Sequence, residues 1–86
     1  MRLKYVMMDN IGSYANDGFI IFPGFGVHKD VVRKNGGIEH LISAGFVTIK
    51  PDREKIVATC YGSSNSLNLG TRDVDSKIIT RFINET

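Results

Sequence analysis

Residues 2–8, Arg-Leu-Lys-Tyr-Val-Met-Met, alternate polar and apolar at first and then turn continuously apolar. On an extended chain Leu3, Tyr5 and Met7 share one face and Arg2 and Lys4 the other, which predicts a strand running from solvent into a core. Asn10, Gly12, Ser13, Asn16, Asp17 and Gly18 follow, and this turn chemistry predicts a hairpin through Asn16-Asp17-Gly18. The returning strand is Phe19-Ile20-Ile21-Phe22, stopped by Pro23. After Gly24-Phe25-Gly26 the period changes, and Val27, Val31 and Val32 recur at helical spacing. Arg33-Lys34 in the last turn and Asn35-Gly36-Gly37 as a C-cap signal predict a helix of about two turns.

Residues 38–42 fit a helical turn or a strand equally well, because a short apolar run does not separate the two. Residues 45–50 read as a strand, Pro51 as the second position of a turn, and residues 55–61 as the returning strand. Residues 63–70 alternate toward their end and read as an exposed edge strand or an ordered loop. The last segment gives the clearest helix. Thr71 is placed to cap it, Asp73 and Asp75 fall in its first turn, and Val74, Ile78, Ile79 and Phe82 form an apolar stripe. The order β-β-α-β-β-β-α over residues 1–86 predicts one α+β domain, a small antiparallel sheet of about four to five strands with two helices packed on one face.

Composition narrows the class. The 86 residues are 42% hydrophobic and 23% charged, enough to collapse one thin core and stay in solution. A net charge of +2 is only mildly basic, and the longest basic run is the pair Arg33-Lys34, so a nucleic-acid partner is allowed without being indicated. Cys60 is the only cysteine, which excludes an intrachain disulfide. The start shows neither a long apolar stretch nor a small-residue cleavage site, and no apolar run approaches the ~20 residues of a membrane span. The expected setting is the cytoplasm, with no membrane partner.

Candidate chemistry is sparse. His28 and His40 are each a formal base for a Cys60 nucleophile, but Cys60 lies in an apolar strand without neighbouring cations and reads as structural. His28, Asp30, His40 and Cys60 lack metal-site spacing, and His28 or Asp30 is better explained as a helix cap. Pro23-Gly24-Phe25-Gly26 lacks the third glycine of a dinucleotide-binding loop, with Lys at position 29, and no cofactor is implied. Ala44-Gly45-Phe46-Val47-Thr48-Ile49 echoes the first RNP motif of RRM domains without its basic opener, since position 43 is Ser. Phe46 is therefore expected in the core.

Several blocks together carry a resemblance. Ile20-Ile21-Phe22-Pro23, His28-Lys29-Asp30-Val31, Ser43-Ala44-Gly45-Phe46-Val47 and Cys60-Tyr61-Gly62-Ser63-Ser64 are joined by Ser66-Leu67, Leu69 and Asp75-Ser76. In these blocks the chain resembles a group of short phage and prophage proteins of unknown function. The likeness implies a phage-type accessory protein in the host cytoplasm, assigns no activity, and makes 43–47 a strand that residues 38–42 join. The loop at residues 10–18 looks longer than in that group. The expectation is thus a non-enzymatic protein-binding module, a homo-oligomer (an isologous dimer first) or the partner of a host or phage protein. Ser66, Leu67, Asn68 and Leu69 are its interaction edge. The alternative is a small nucleic-acid-binding module using Arg33, Lys34, Arg53 and Lys55.

Overall fold

The computed structural model describes residues 2–9 and 18–85. In chain order these form β1 (Leu3–Met8), β2 (Gly18–Pro23), α1 (His28–Lys34), a 3-10 turn (Ile38–His40), β3 (Leu41–Asp52), β4 (Lys55–Tyr61), β5 (Ser63–Ser64), β6 (Leu69–Gly70) and α2 (Asp73–Glu85). The four long strands make one antiparallel sheet in the order β2-β1-β3-β4, while β5 and β6 form a hairpin of their own. The domain is α+β, as its pattern predicts. β1 and β2 pair as expected, and the turn anticipated at residues 10–17 lies outside the described residues.

The helices occupy opposite faces of the sheet rather than one. Tyr5, Met7, Val47 and Ala58 pack with Ile79 of α2, whereas Val6, Met8, Phe22 and Ala44 pack with Val32 of α1. The reason lies in β1, where Tyr5, Val6, Met7 and Met8 are all fully buried. A continuous apolar run marks a strand covered on both sides, and a helix on each face supplies the covers. Alternation holds along β3 except at a bulge opposite Met7 and Met8. There Ile42 and Ser43 both turn toward α2, and Leu41 and Ala44 turn toward α1.

That bulge aims Ser43 at the polar centre of the molecule. Asp75, fully buried in the first turn of α2, accepts hydrogen bonds from the Tyr5 hydroxyl and the Ser43 hydroxyl, both at 2.6 Å. It also accepts from the Arg72 backbone N–H at 3.1 Å and from the Arg72 guanidinium. Asp75, not Thr71, thus satisfies the start of α2, because its carboxylate turns back one turn to the preceding residue. Burial alone raises a carboxyl, but the donors from Ser43, Tyr5 and Arg72 outweigh it and hold Asp75 below the ordinary range. Burial, and then the bond to Asp75, push the Tyr5 phenol up. Gly45 lets the two elements approach, since a Cβ there would run into the Thr71 hydroxyl and the Tyr61 carbonyl.

Down the length of α2, Ser76, Thr80 and Asn84 meet the outer edge of β4. Their side-chain oxygens accept from the backbone N–H groups of Cys60, Ala58 and Ile56 at 2.8, 2.9 and 3.0 Å. Thr80 and Asn84 also donate to the carbonyls of Ala58 and Ile56. Four residues of helix rise about 6.0 Å and two residues of strand about 6.8 Å, so the two repeats stay in step over three contacts. The helix in this way closes a sheet edge that would otherwise invite another strand.

Other expectations shift by a few residues. The β3–β4 turn is Arg53-Glu54, with Arg53 at φ 60°, and Pro51 lies inside β3 opposite Ile56. By the alternation of the ladder Pro51 faces the β1 side beyond the paired part of β1, where no N–H is required. Residues 38–42 divide between the 3-10 turn and the start of β3. On α2 the buried side is Asp75 and Ile79 flanked by Ile78 and Ile83, and Val74 and Phe82 are exposed.

Asp75→Ala should cost about 3 kcal/mol or more, because the donors of three residues lose a buried acceptor. Chemical denaturation of the variant and the parent measures this. The carboxyl's folded value is depressed, so its contribution is complete above pH ~4 and is lost as pH falls through that lower value. The gap between parent and Asp75→Ala should therefore narrow in acid. Thr80→Val keeps the shape but leaves the Ala58 N–H unmet, and a loss of about 1–2 kcal/mol is expected in the same measurement.

Candidate nucleic-acid interface

The face of the sheet opposite α2 is only half covered. α1 has seven residues and is about 10 Å long. β3 has twelve residues and extends for roughly 36 Å. The helix covers the end at Val6, Met8 and Ala44, and its first residue, His28, reaches Phe46. On the same side register places Lys4 beside Phe46, Phe46 beside Tyr61, Thr48 beside Thr59 and Lys50 beside Val57, and the last two pairs lie beyond the helix. Arg2 and Lys55 extend the same face at its two ends, and Asp52, opposite Lys55, is its one carboxylate along these strands.

An aromatic stack forms the middle of this surface. The rings of Phe46 and Tyr61 lie 5.6 Å apart at 25°, and the Arg2 guanidinium sits 5.2 Å from the centre of the Phe46 ring. Gly62, at φ 73°, turns the chain directly behind Phe46, and a Cβ there would press on that ring at 3.0 Å. Tyr61 is 40% exposed, and Phe46 is half-buried rather than part of the core.

His28 backs the stack. It is buried, edge-on to Phe22 and Phe46, with Nε2 2.8 Å from the Gly45 carbonyl oxygen. Burial is the main cause that lowers its basicity, with the positive charge of Lys4 adding to it against the pull of the Gly45 carbonyl. Neither His28 nor Asp30 caps α1, whose N-cap is Val27 with no side-chain bond. Lys4 donates to the Gly26 carbonyl at 2.6 Å, which fixes the β2–α1 loop beside the face. Arg2, Lys4, Val27, His28, Phe46 and Asn65 line a cleft of about 460 Å³ there.

The residues singled out from sequence are scattered by the fold. Arg33 and Lys34 end α1 on the side that leads into Leu41, and Arg53 and Lys55 lie at the opposite end of β3. Only Lys55 belongs to the open face. Ser66, Leu67 and Asn68 form a turn, and Leu69 pairs with Ser64 in the β5–β6 hairpin. Leu67 packs into the core beneath α1, and Asn68 adopts φ 53° to close the turn. The segment folds back on itself as a hairpin rather than standing as the single edge strand expected of it. Residue order does not mark Arg2, Lys4, Phe46 and Tyr61 as a set, because alternation places residues on a face while register alone makes faces of different strands coincide.

Cys60 lies on the α2 side of the sheet, across from His28, and His40 is held by Asp9 at 2.9 Å beyond the start of β3. Burial pushes the Cys60 thiol up. Among the described residues no helix is long and apolar enough to cross a membrane, and no three His, Cys, Asp or Glu side chains gather as metal ligands. No protein family, curated protein or solved structure matches this chain.

A thiol whose ionisation is suppressed and whose side chain packs against a helix should react slowly. Labelling of the folded protein with a thiol reagent at neutral pH should proceed far more slowly than labelling of the denatured chain. Equal rates would place Cys60 at an accessible, activated position.

Proposed function

We propose that the protein is a small module that binds single-stranded nucleic acid across the open half of its sheet. The carrying observation is the Phe46–Tyr61 stack, with Arg2 on Phe46, on a face that α1 is too short to cover. Tyr61 offers a surface on which an unpaired base stacks, and Phe46 and His28 hold it from behind. Arg2, Lys4, Lys50 and Lys55 provide the positive field that a phosphate backbone seeks, and Thr48 and Thr59 supply hydroxyls between them. Bases are inaccessible to such a platform inside a duplex, so the reading is specific for single strands. A non-enzymatic, phage-type accessory role in the host cytoplasm completes the proposal, on the block-wise resemblance described above.

Fluorescence anisotropy with a labelled DNA or RNA strand of about 12 nucleotides tests it. Binding should weaken with salt at a logarithmic slope near −3 if four phosphates are neutralised at about 0.7 each. Tyr61→Ala should cost about 1–3 kcal/mol of affinity, and Lys50→Ala with Lys55→Ala should flatten the salt slope by about one unit or more. Absence of binding at low salt, or binding indifferent to Tyr61, would sink the reading.

A further inference from the structure

The two edges of the main sheet are treated differently. The β4 edge is closed by Ser76, Thr80 and Asn84. The β2 edge has no partner among the described residues. Which of its groups face outward follows from the ladder. Ile56, Ala58 and Cys60 point their N–H groups away from β3, so Val57, Thr59 and Tyr61 point toward it and exchange bonds with Lys50, Thr48 and Phe46. Gly45 and Val47 then face Tyr5 and Leu3, and Lys4 and Val6 face Phe22 and Ile20. This leaves Phe19, Ile21 and Pro23 facing outward. Pro23 has no N–H, and its carbonyl is taken by Gly26 at 2.9 Å. Among the described residues the open edge therefore consists of the N–H and C=O groups of Phe19 and Ile21.

We infer that a second copy of this chain pairs here, β2 against β2, antiparallel about a two-fold axis at Ile20. Phe19 of each copy then faces Ile21 of the other, all four outward donors and acceptors on each side are met, and Pro23 falls outside the pairing. The side chains favour the same arrangement. Phe82 stands edge-on to Phe19 at 5.2 Å and is 57% exposed, the largest apolar side chain left open beside that edge on α2. A two-fold at Ile20 places this pair of rings from both copies along one seam. An axis perpendicular to the sheet keeps like faces on the same side. Resting on the single-strand-binding reading, it sets the two Tyr61 platforms on one surface of an eight-stranded sheet, diagonally across the axis. Self-association was expected at Ser66, Leu67, Asn68 and Leu69, and the β2 edge takes that role.

Light scattering on the full chain without nucleic acid decides the pairing. Twice the 9.6 kDa chain mass is expected at micromolar concentration, falling toward one chain on dilution. Ile21→Pro removes an outward N–H and should give a single-chain mass. Phe82→Glu changes a side chain that is 57% exposed and meets Phe19 at the seam, and it should shift dissociation to at least tenfold higher concentration, so the inference stands or falls on it if Ile21→Pro fails to fold. A single-chain mass for the parent at every concentration overturns the inference, as does a dimer untouched by Phe82→Glu. Tyr61→Ala should retain the dimer mass, and Phe82→Glu should retain oligonucleotide binding, so failure of one reading is distinct from failure of the other.

Discussion

The fold depends on placing a carboxylate where no carboxylate is comfortable. Asp75 is fully buried between α2, β1 and β3, and it stays ionised because Tyr5, Ser43 and Arg72 all direct donors at it. Each donor comes from a different part of the chain, so the charge is solvated only when the helix start, the central strand and the β3 bulge are in place together. Apolar contacts alone would tolerate many angles between α2 and the sheet. A charge that must find three partners tolerates few.

From that anchor the two faces and two edges of the sheet take different characters. α2 runs outward from Asp75 along β4, lays Ile79 on one face and ends the sheet with its hydroxyl and amide side chains. α1, only two turns long, seals the other face at one end and leaves the aromatic and basic end in solvent. A face with cations around a ring stack and an edge with unmet backbone groups are thus by-products of one long helix and one short one.

Much of this was legible in residue order. The strands, both helices and the α+β class follow from period and punctuation, and the unbroken apolar run at Tyr5 to Met8 already carried the signal for a covered face on each side. The details that escaped are those that need a partner. Alternation at residues 63–70 resembles an edge strand until Leu67 finds the core and the segment folds back. Phe46 resembles a core residue, but α1 meets it only with the His28 ring and leaves it half-buried. Asp75 resembles a helix-dipole residue, and nothing local to it announces Tyr5 or Ser43. Scattered Arg and Lys pointed to charge without placing it, because coincidence of faces on β1, β3 and β4 is a matter of register.

The ladder of Ser76, Thr80 and Asn84 on β4 also bears on how the chain is made. In chain order β4 precedes α2, so a nascent chain holds a complete sheet edge before the helix that closes it has left the ribosome. During that interval Ile56, Ala58 and Cys60 present their backbone groups to whatever strand is near, including those of neighbouring nascent copies. The helix can close the edge only after its last contact, Asn84, is free of the tunnel. Until then the chain is open to mispairing, whatever the stability of the finished domain.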